Sequence, residues 1–195
     1  MRTSPRFVSR GGNKLQGALK FFRIDVAGRV CVDLGTSTGG FVDCLLHGGA
    51  ARVYAFDVGT GQIAWKLATD PRVVLRDDYN VRRLHPEDIP QPFFLLTADL
   101  SFISLRRVLP PLSVVVREKG ELDSLLLLLV KPQFELPPRC IAPGGLVADP
   151  DQGKQAVADV ALAAASHGFV NPDIFPSPVK GAKGNQEYFM RLALK

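Results

Sequence analysis

Five short apolar runs, at residues 30–34, 52–56, 73–75, 93–98 and 124–130, alternate with stretches near 41–48, 61–69, 103–118 and 154–167 whose apolar residues recur every three or four positions. Runs of this length suit strands buried on both faces, and the intervening period is that of amphipathic helices. The alternation predicts βαβ units and a mostly parallel sheet covered by helices on both sides. Leu15, Ala18, Leu19 and Phe22 predict a further helix with Lys14 in its first turn, and Tyr188–Leu194 a last strand. Pro110 and Pro111 fall in the fourth helical stretch, where proline ends or kinks a helix by removing a backbone donor.

Charge sits where the apolar runs stop. The first run ends on Asp33, and Asp57, Asp99 and Lys131 each follow directly on a run, as in Leu-Leu-Thr-Ala-Asp99 and Leu-Leu-Leu-Val-Lys131. In a parallel sheet all carboxyl ends share one edge, the edge at which open α/β folds bind ligands, so four charges are predicted to converge on one crevice. The turn-rich basic stretch Pro176–Glu187 leads into the last strand. If that strand is antiparallel, Glu187 reaches the same edge, and Lys180 and Lys183 become able to grip phosphates.

The segment Asp33-Leu-Gly-Thr-Ser-Thr-Gly-Gly-Phe41 joins the first run to a helical pattern through Gly35, Gly39 and Gly40. Such a turn brings backbone close to a nucleotide-like ligand, although glycines after strands also merely close βα units. The spacing is not the dinucleotide GxGxxG, and an acidic strand end opposes a pyrophosphate while suiting a cation. About 20 residues on, Asp57 stands where a carboxylate accepts hydrogen bonds from ribose hydroxyls. S-adenosylmethionine carries both a ribose and an ammonium group.

Composition narrows the setting. A chain of 195 residues with 46% hydrophobic content can bury one sizeable core, and one compact domain is expected: a basic N-terminal arm and helix over 1–29, then the body over 30–195. Arg2, Arg6, Arg10, Lys14, Lys20, Arg23 and Arg29 against Asp25 give that arm a charge of +6 where the whole chain carries +5. Concentrated cations favour a phosphate-rich partner through counterion release, though a basic stretch can also be a solvated face. The longest apolar run, Leu125–Val130, is far below the ~20 residues of a spanning helix, and the N-terminus has no apolar signal core, so no membrane partner and a cytoplasmic location are expected. Cys31, Cys44 and Cys140 show no ligand spacing, which leaves neither a disulfide framework nor a zinc site; Cys31 and Cys44 are expected to fill the core.

Six motifs occur in order: Val8-Ser-Arg10-Gly-Gly-Asn-Lys14-Leu, Asp33–Phe41, Asp57-Val-Gly-Thr-Gly-Gln62, Asp99-Leu-Ser-Phe-Ile-Ser104, Val130-Lys-Pro-Gln-Phe-Glu135 and Lys180-Gly-Ala-Lys-Gly-Asn-Gln-Glu187. Over residues 7–194 the chain therefore resembles the hemolysin A (TlyA) family of ribosomal RNA 2′-O-methyltransferases, within the FtsJ-like superfamily. The resemblance implies a Rossmann-like class I methyltransferase with a seven-stranded, mostly parallel sheet and an antiparallel last strand. It implies S-adenosylmethionine as cofactor, no metal, and RNA as partner, either ribosomal RNA or ribosomal subunits methylated on a cytidine ribose. A Lys, Asp, Lys, Glu tetrad falls on Lys14, Asp99, Lys131 and Glu187. Cofactor contacts fall on Asp33, Gly35, Thr36, Ser37, Gly39, Gly40, Phe41, Asp57 and Val58, with Asp77 and Asn80 near the adenine. Lys131 is expected to be the general base or, kept protonated, to stabilise the developing alkoxide.

Members of that family usually carry an S4 RNA-binding domain ahead of the methyltransferase, whereas this sequence starts almost directly at Ser9-Arg-Gly-Gly. The expectation is a truncated or short product, or a basic arm that recruits substrate by itself or with a partner. Two other classes stay open at this point: a non-catalytic cofactor- and RNA-binding assembly factor, and a hemolysin.

Overall fold

The computed structural model describes residues 6–147 and 149–195. Arg2 of the basic arm lies outside them. In chain order the elements are α1 (Arg10–Phe22), β1 (Val30–Leu34), α2 (Gly40–His47), β2 (Arg52–Phe56), α3 (Trp65–Ala68), β3 (Val73–Arg76) and β4 (Phe93–Ala98). There follow α4 (Leu109–Lys119), β5 (Gly120–Val130), α5 (Pro132–Glu135), β6 (Ile141–Ala142), β7 (Leu146–Val147), α6 (Pro150–Ser166), β8 (Phe169–Pro176) and β9 (Tyr188–Leu194).

Seven strands form one sheet in the order β3-β2-β1-β4-β5-β9-β8. β1 to β5 are parallel, and β9 runs antiparallel between β5 and β8. Alternate residues of each buried strand point to opposite faces, and each face has its own core. Val32, Leu34, Phe56, Leu96 and Leu128 pack with α4 and α6; Cys31, Val53, Leu95, Leu127 and Phe189 pack with α1 and α2. Cys31 and Cys44 fill the second core as expected, and burial pushes both thiols up to about 12.

Pro110 and Pro111 mark a boundary. They occupy the first turn of α4, where backbone N–H groups lack intrahelical partners, and a 3₁₀ turn over Leu105–Arg107 precedes it. Three expectations need correction. The helical stretch near 61–69 shrinks to the four residues of α3. α1 starts at Arg10, so Lys14 sits in its second turn. β8 was not foreseen, because Asn171-Pro172-Asp173 interrupts its pattern; the ladder to β9 shifts register between Val170 and Asp173 to accommodate them.

The Ser9-Arg-Gly-Gly motif explains how α1 reaches the sheet edge. Ser9 caps the helix, accepting the Gly11 N–H. A Cβ on Gly40 would lie 2.2 Å from Ser9 Oγ and 2.9 Å from the Gly12 nitrogen. Only glycine lets the first turns of α1 and α2 touch this closely, and that contact carries Lys14 toward the strand ends.

Candidate functional site

The strand order reverses between β1 and β4, so the chain leaves these neighbouring strands in diverging directions and opens a crevice. Gly35 and Asp99 stand on its two lips. Asp99 N–H donates to the Leu34 carbonyl (2.9 Å), and a Cβ on Gly35 (φ 83°) would meet the Asp99 carbonyl oxygen at 2.6 Å. Two adjoining hollows share Gly35, Ser37, Asp99, Ser101, Phe102, Gln133 and Phe134. One, of about 590 Å³, lies over α1, β5 and the entry to β9; the other, of about 900 Å³, lies over β2 and the loop after β3.

The first hollow gathers the four expected tetrad residues. Pairing of Val130 with Tyr188 across β5 and β9 sets Lys131 and Glu187 side by side, one beyond the end of β5 and one before the start of β9. Lys14 Nζ donates to Glu187 Oε2 at 2.5 Å, with both side chains buried. Lys131 Nζ lies 2.6 Å from Asp99 Oδ1 and donates to Ser101 Oγ at 2.8 Å. Two lysine–carboxylate pairs thus face one cavity, drawn from α1 and the ends of β4, β5 and β9. Lys183 and Arg10 line the same cavity; Lys180 is exposed and does not.

The second hollow is lined by Gly35, Ser37, Asp57, Val58 and Asn80 of the expected cofactor set. Asp57 joins the two loops of the crevice: Oδ2 accepts the Ser37 N–H (2.6 Å) and Oδ1 accepts the Gly59 N–H (2.7 Å). Thr36, Gly40 and Phe41 line the first hollow instead, where Phe41 stacks on Phe189. Gly39 (φ 93°) lines neither; it lets Leu67 pack where a Cβ would sit 2.4 Å away. Asp77 also lies outside both, its carboxylate accepting the Gly61 N–H (2.8 Å).

Asp33 is the clearest departure. β1 runs on to Leu34, so Asp33 is inside the sheet, paired with Ala55 and Thr97, and fully buried. Thr97 Oγ1 (2.8 Å) and Thr36 Oγ1 (3.0 Å) donate to its two oxygens. Burial pushes its carboxyl up to about 7, against the two hydroxyl bonds and with the help of Asp99 and Asp57 nearby. It braces the glycine turn from beneath through Thr36 and lines neither hollow.

Ser101, Phe102, Gln133 and Phe134 were not singled out, although all stand inside the quoted motifs. Phe102 is 91% exposed with φ 62°, its ring 5.1 Å from that of Phe134. An exposed aromatic in a left-handed conformation is held there by its surroundings. Further along the same loop, buried Glu135 accepts Ser104 Oγ (2.5 Å) and the Leu105 N–H (2.7 Å). The two motifs are therefore tied at both ends, by Asp99 and Lys131 at the crevice and by Ser104 and Glu135 behind it.

A doubly wound sheet with a carboxylate after β2 and two lysine–carboxylate pairs at its switch point defines a Rossmann-like α/β protein. The chain belongs to the FtsJ-like methyltransferase family, which its residues 7–194 match. It is 48% identical over 186 residues to the 16S/23S rRNA (cytidine-2′-O)-methyltransferase TlyA of Mycobacterium tuberculosis, across 95% of this chain and 68% of that protein. A solved structure from Streptococcus thermophilus that goes under the name of a hemolysin superposes with a TM-score of 0.92 at 37% identity, over 100% of this chain and 70% of that one. An S-adenosylmethionine dependent methyltransferase of Mesorhizobium loti shares the fold at 17% identity, with a TM-score of 0.64 over 92% of this chain and 97% of that one.

Proposed function

We propose that this chain transfers the methyl group of S-adenosylmethionine to a ribose 2′-hydroxyl of ribosomal RNA, at cytidine as the name of its mycobacterial relative states. The observation that carries the reading is the convergence of Lys14–Glu187 and Lys131–Asp99 on one cavity beside the hollow that holds Asp57. The cofactor fits the second hollow. Asp57 keeps lone pairs for ribose hydroxyls, and a buried acceptor at the junction, Gln133 Oε1, has no hydrogen-bond donor among the described residues. A buried acceptor of that kind calls for a ligand with donors, and S-adenosylmethionine has hydroxyls and an ammonium.

When bound, the cofactor supplies a methyl group already activated on a sulfonium. The chain's task is to present a ribose oxygen in line with that methyl and to manage its proton, so that a C–O bond forms as the C–S bond breaks. Lys131 faces the oxygen: as an ammonium it stabilises the developing alkoxide, and as a neutral amine it takes the proton. Asp99 and Ser101 fix its position. Lys14 and Glu187 hold the ribose and its phosphate, since positioning can lower the barrier by several kcal/mol. A pH–rate profile separates the two roles of Lys131: a rate rising with unit slope to an alkaline plateau reports a neutral amine, and a falling alkaline limb reports an ammonium.

Arg10 in the first turn of α1, with Lys183, supplies phosphate contacts at the mouth of the cavity, and a ribosomal substrate implies work in the cytoplasm. Among the described residues no helix is long and apolar enough to cross a membrane. The test incubates the protein with methyl-labelled S-adenosylmethionine and purified ribosomal subunits. Label in the RNA is expected; cofactor binding without transfer to any RNA would establish the non-catalytic assembly factor instead.

A further inference from the structure

β6 and β7 form a ribbon with two residues in each strand, and no third strand pairs with it among the described residues. So short a ribbon does not hold itself together in water. The structure supplies a support in Asn185, a buried side chain two residues ahead of Glu187. Its Oδ1 accepts the Val147 N–H at 2.9 Å, and its Nδ2 donates to the Gly145 carbonyl at 2.8 Å. One residue that bonds the carbonyl of residue i and the N–H of residue i+2 repeats, with a side chain, what a backbone does in a parallel ladder.

The same residue is tied to the tetrad. The Asn185 carbonyl accepts the Gly181 N–H at 2.9 Å. Gly181 in turn lies so close to Glu187 that a Cβ there would stand 2.5 Å from Oε1. Lys183 lies across Gly145, with Nζ 3.2 Å from where a Cβ would be. Ile141, Gly145, Lys183, Asn185 and Glu187 all line the first hollow, and none of them lines the second.

We propose that Asn185 is a positioning residue for the RNA half of the reaction: its amide stands in for a missing strand and locks the β6–β7 hairpin to the turn that delivers Glu187. The hairpin and the Lys14–Glu187 pair then form one rigid wall against the target nucleotide. This rests on the ribose methyl transfer proposed above. Asn185→Leu removes both bonds at similar volume, and Asn185→Asp keeps the acceptor for Val147 while opposing the Gly145 carbonyl with a carboxylate.

Three measurements on the full chain decide it: hydrogen exchange over residues 141–147, equilibrium binding of S-adenosylmethionine, and steady-state transfer to ribosomal subunits. Asn185→Leu is expected to lose amide protection in the hairpin and to raise KM for RNA by roughly tenfold, the factor that corresponds to about 1.4 kcal/mol. Asn185→Asp is expected to fall between it and wild type, and both are expected to bind S-adenosylmethionine as wild type does. Unchanged hairpin protection and unchanged KM would overturn the proposal. So would a parallel loss of cofactor affinity, which marks a general packing role. If Asn185→Leu does not fold, Asn185→Asp carries the same readouts. Should wild type transfer no methyl to RNA, the proposed function fails while hairpin exchange and cofactor binding still decide whether Asn185 is the clamp.

Discussion

Lys14 and Glu187 are 173 residues apart in sequence and 2.5 Å apart in space, with side chains only 11% and 3% exposed. Removing either one leaves the other charge buried without its partner. For pairs buried to this degree the loss is about 3–5 kcal/mol, whereas replacing both charges with apolar groups of similar size is often neutral. Lys14 borders the cavity and keeps some contact with solvent, so Glu187→Leu should lie near the lower figure, about 3 kcal/mol. For a domain of this length each kcal/mol moves the midpoint by about 2–4 °C, which places the variant roughly 6–12 °C below wild type. Urea unfolding of wild type, Lys14→Met, Glu187→Leu and the double variant closes the cycle. The double variant should regain most of the lost stability and none of the methyl transfer, because the pair serves the substrate more than the fold. A loss below about 1 kcal/mol for Glu187→Leu, or a double variant equal to the sum of the singles, would refute the reasoning.

Other outcomes follow from single side chains. Asp33 keeps a proton in the folded chain up to about pH 7 that the unfolded chain surrenders near its ordinary 3.8. The folded state therefore binds more protons across that window, and stability falls as pH rises through it, by about 4 kcal/mol in all. Asp33→Asn should remove this slope in urea titrations at pH 5 to 8; equal slopes in the two proteins would contradict the burial argument. Gly40→Ala forces α1 away from α2, since its Cβ would meet Ser9 Oγ at 2.2 Å and the Gly12 nitrogen at 2.9 Å. It should cost about 1–3 kcal/mol in denaturation and slow transfer by displacing Lys14. Asp57→Ala strips acceptors from the Ser37 and Gly59 N–H groups and, on the proposed function, from the cofactor ribose. Calorimetry should find S-adenosylmethionine bound on the order of tenfold or more weakly.

Much of this architecture was legible in the chain because parallel strands buried on both faces write themselves as apolar runs. Asp57, Asp99 and Lys131 follow directly on β2, β4 and β5, and their meeting needed only the rule that parallel strands share a carboxyl edge. Glu187 needed the direction of β9, which the register of Val130 with Tyr188 supplies. Asp33 was misread by one position: β1 extends to Leu34, and a strand's last residue cannot be told from its pattern when the next residue is apolar too. β8 hid behind Asn171 and Pro172, whose polarity and fixed φ belong to an irregular strand. Asn185 and Glu135 were invisible as agents because their partners are distant in sequence, Val147 38 residues and Ser104 31 residues away.

Nucleoside mass spectrometry of ribosomal RNA after reaction tests the central claim most directly, because it reads which atom receives the methyl. Wild type should yield 2′-O-methylcytidine, and Lys131→Ala should yield none while still binding S-adenosylmethionine. Methyl found on a base nitrogen or carbon, or an undiminished yield from Lys131→Ala, would contradict ribose transfer by these paired lysines and carboxylates.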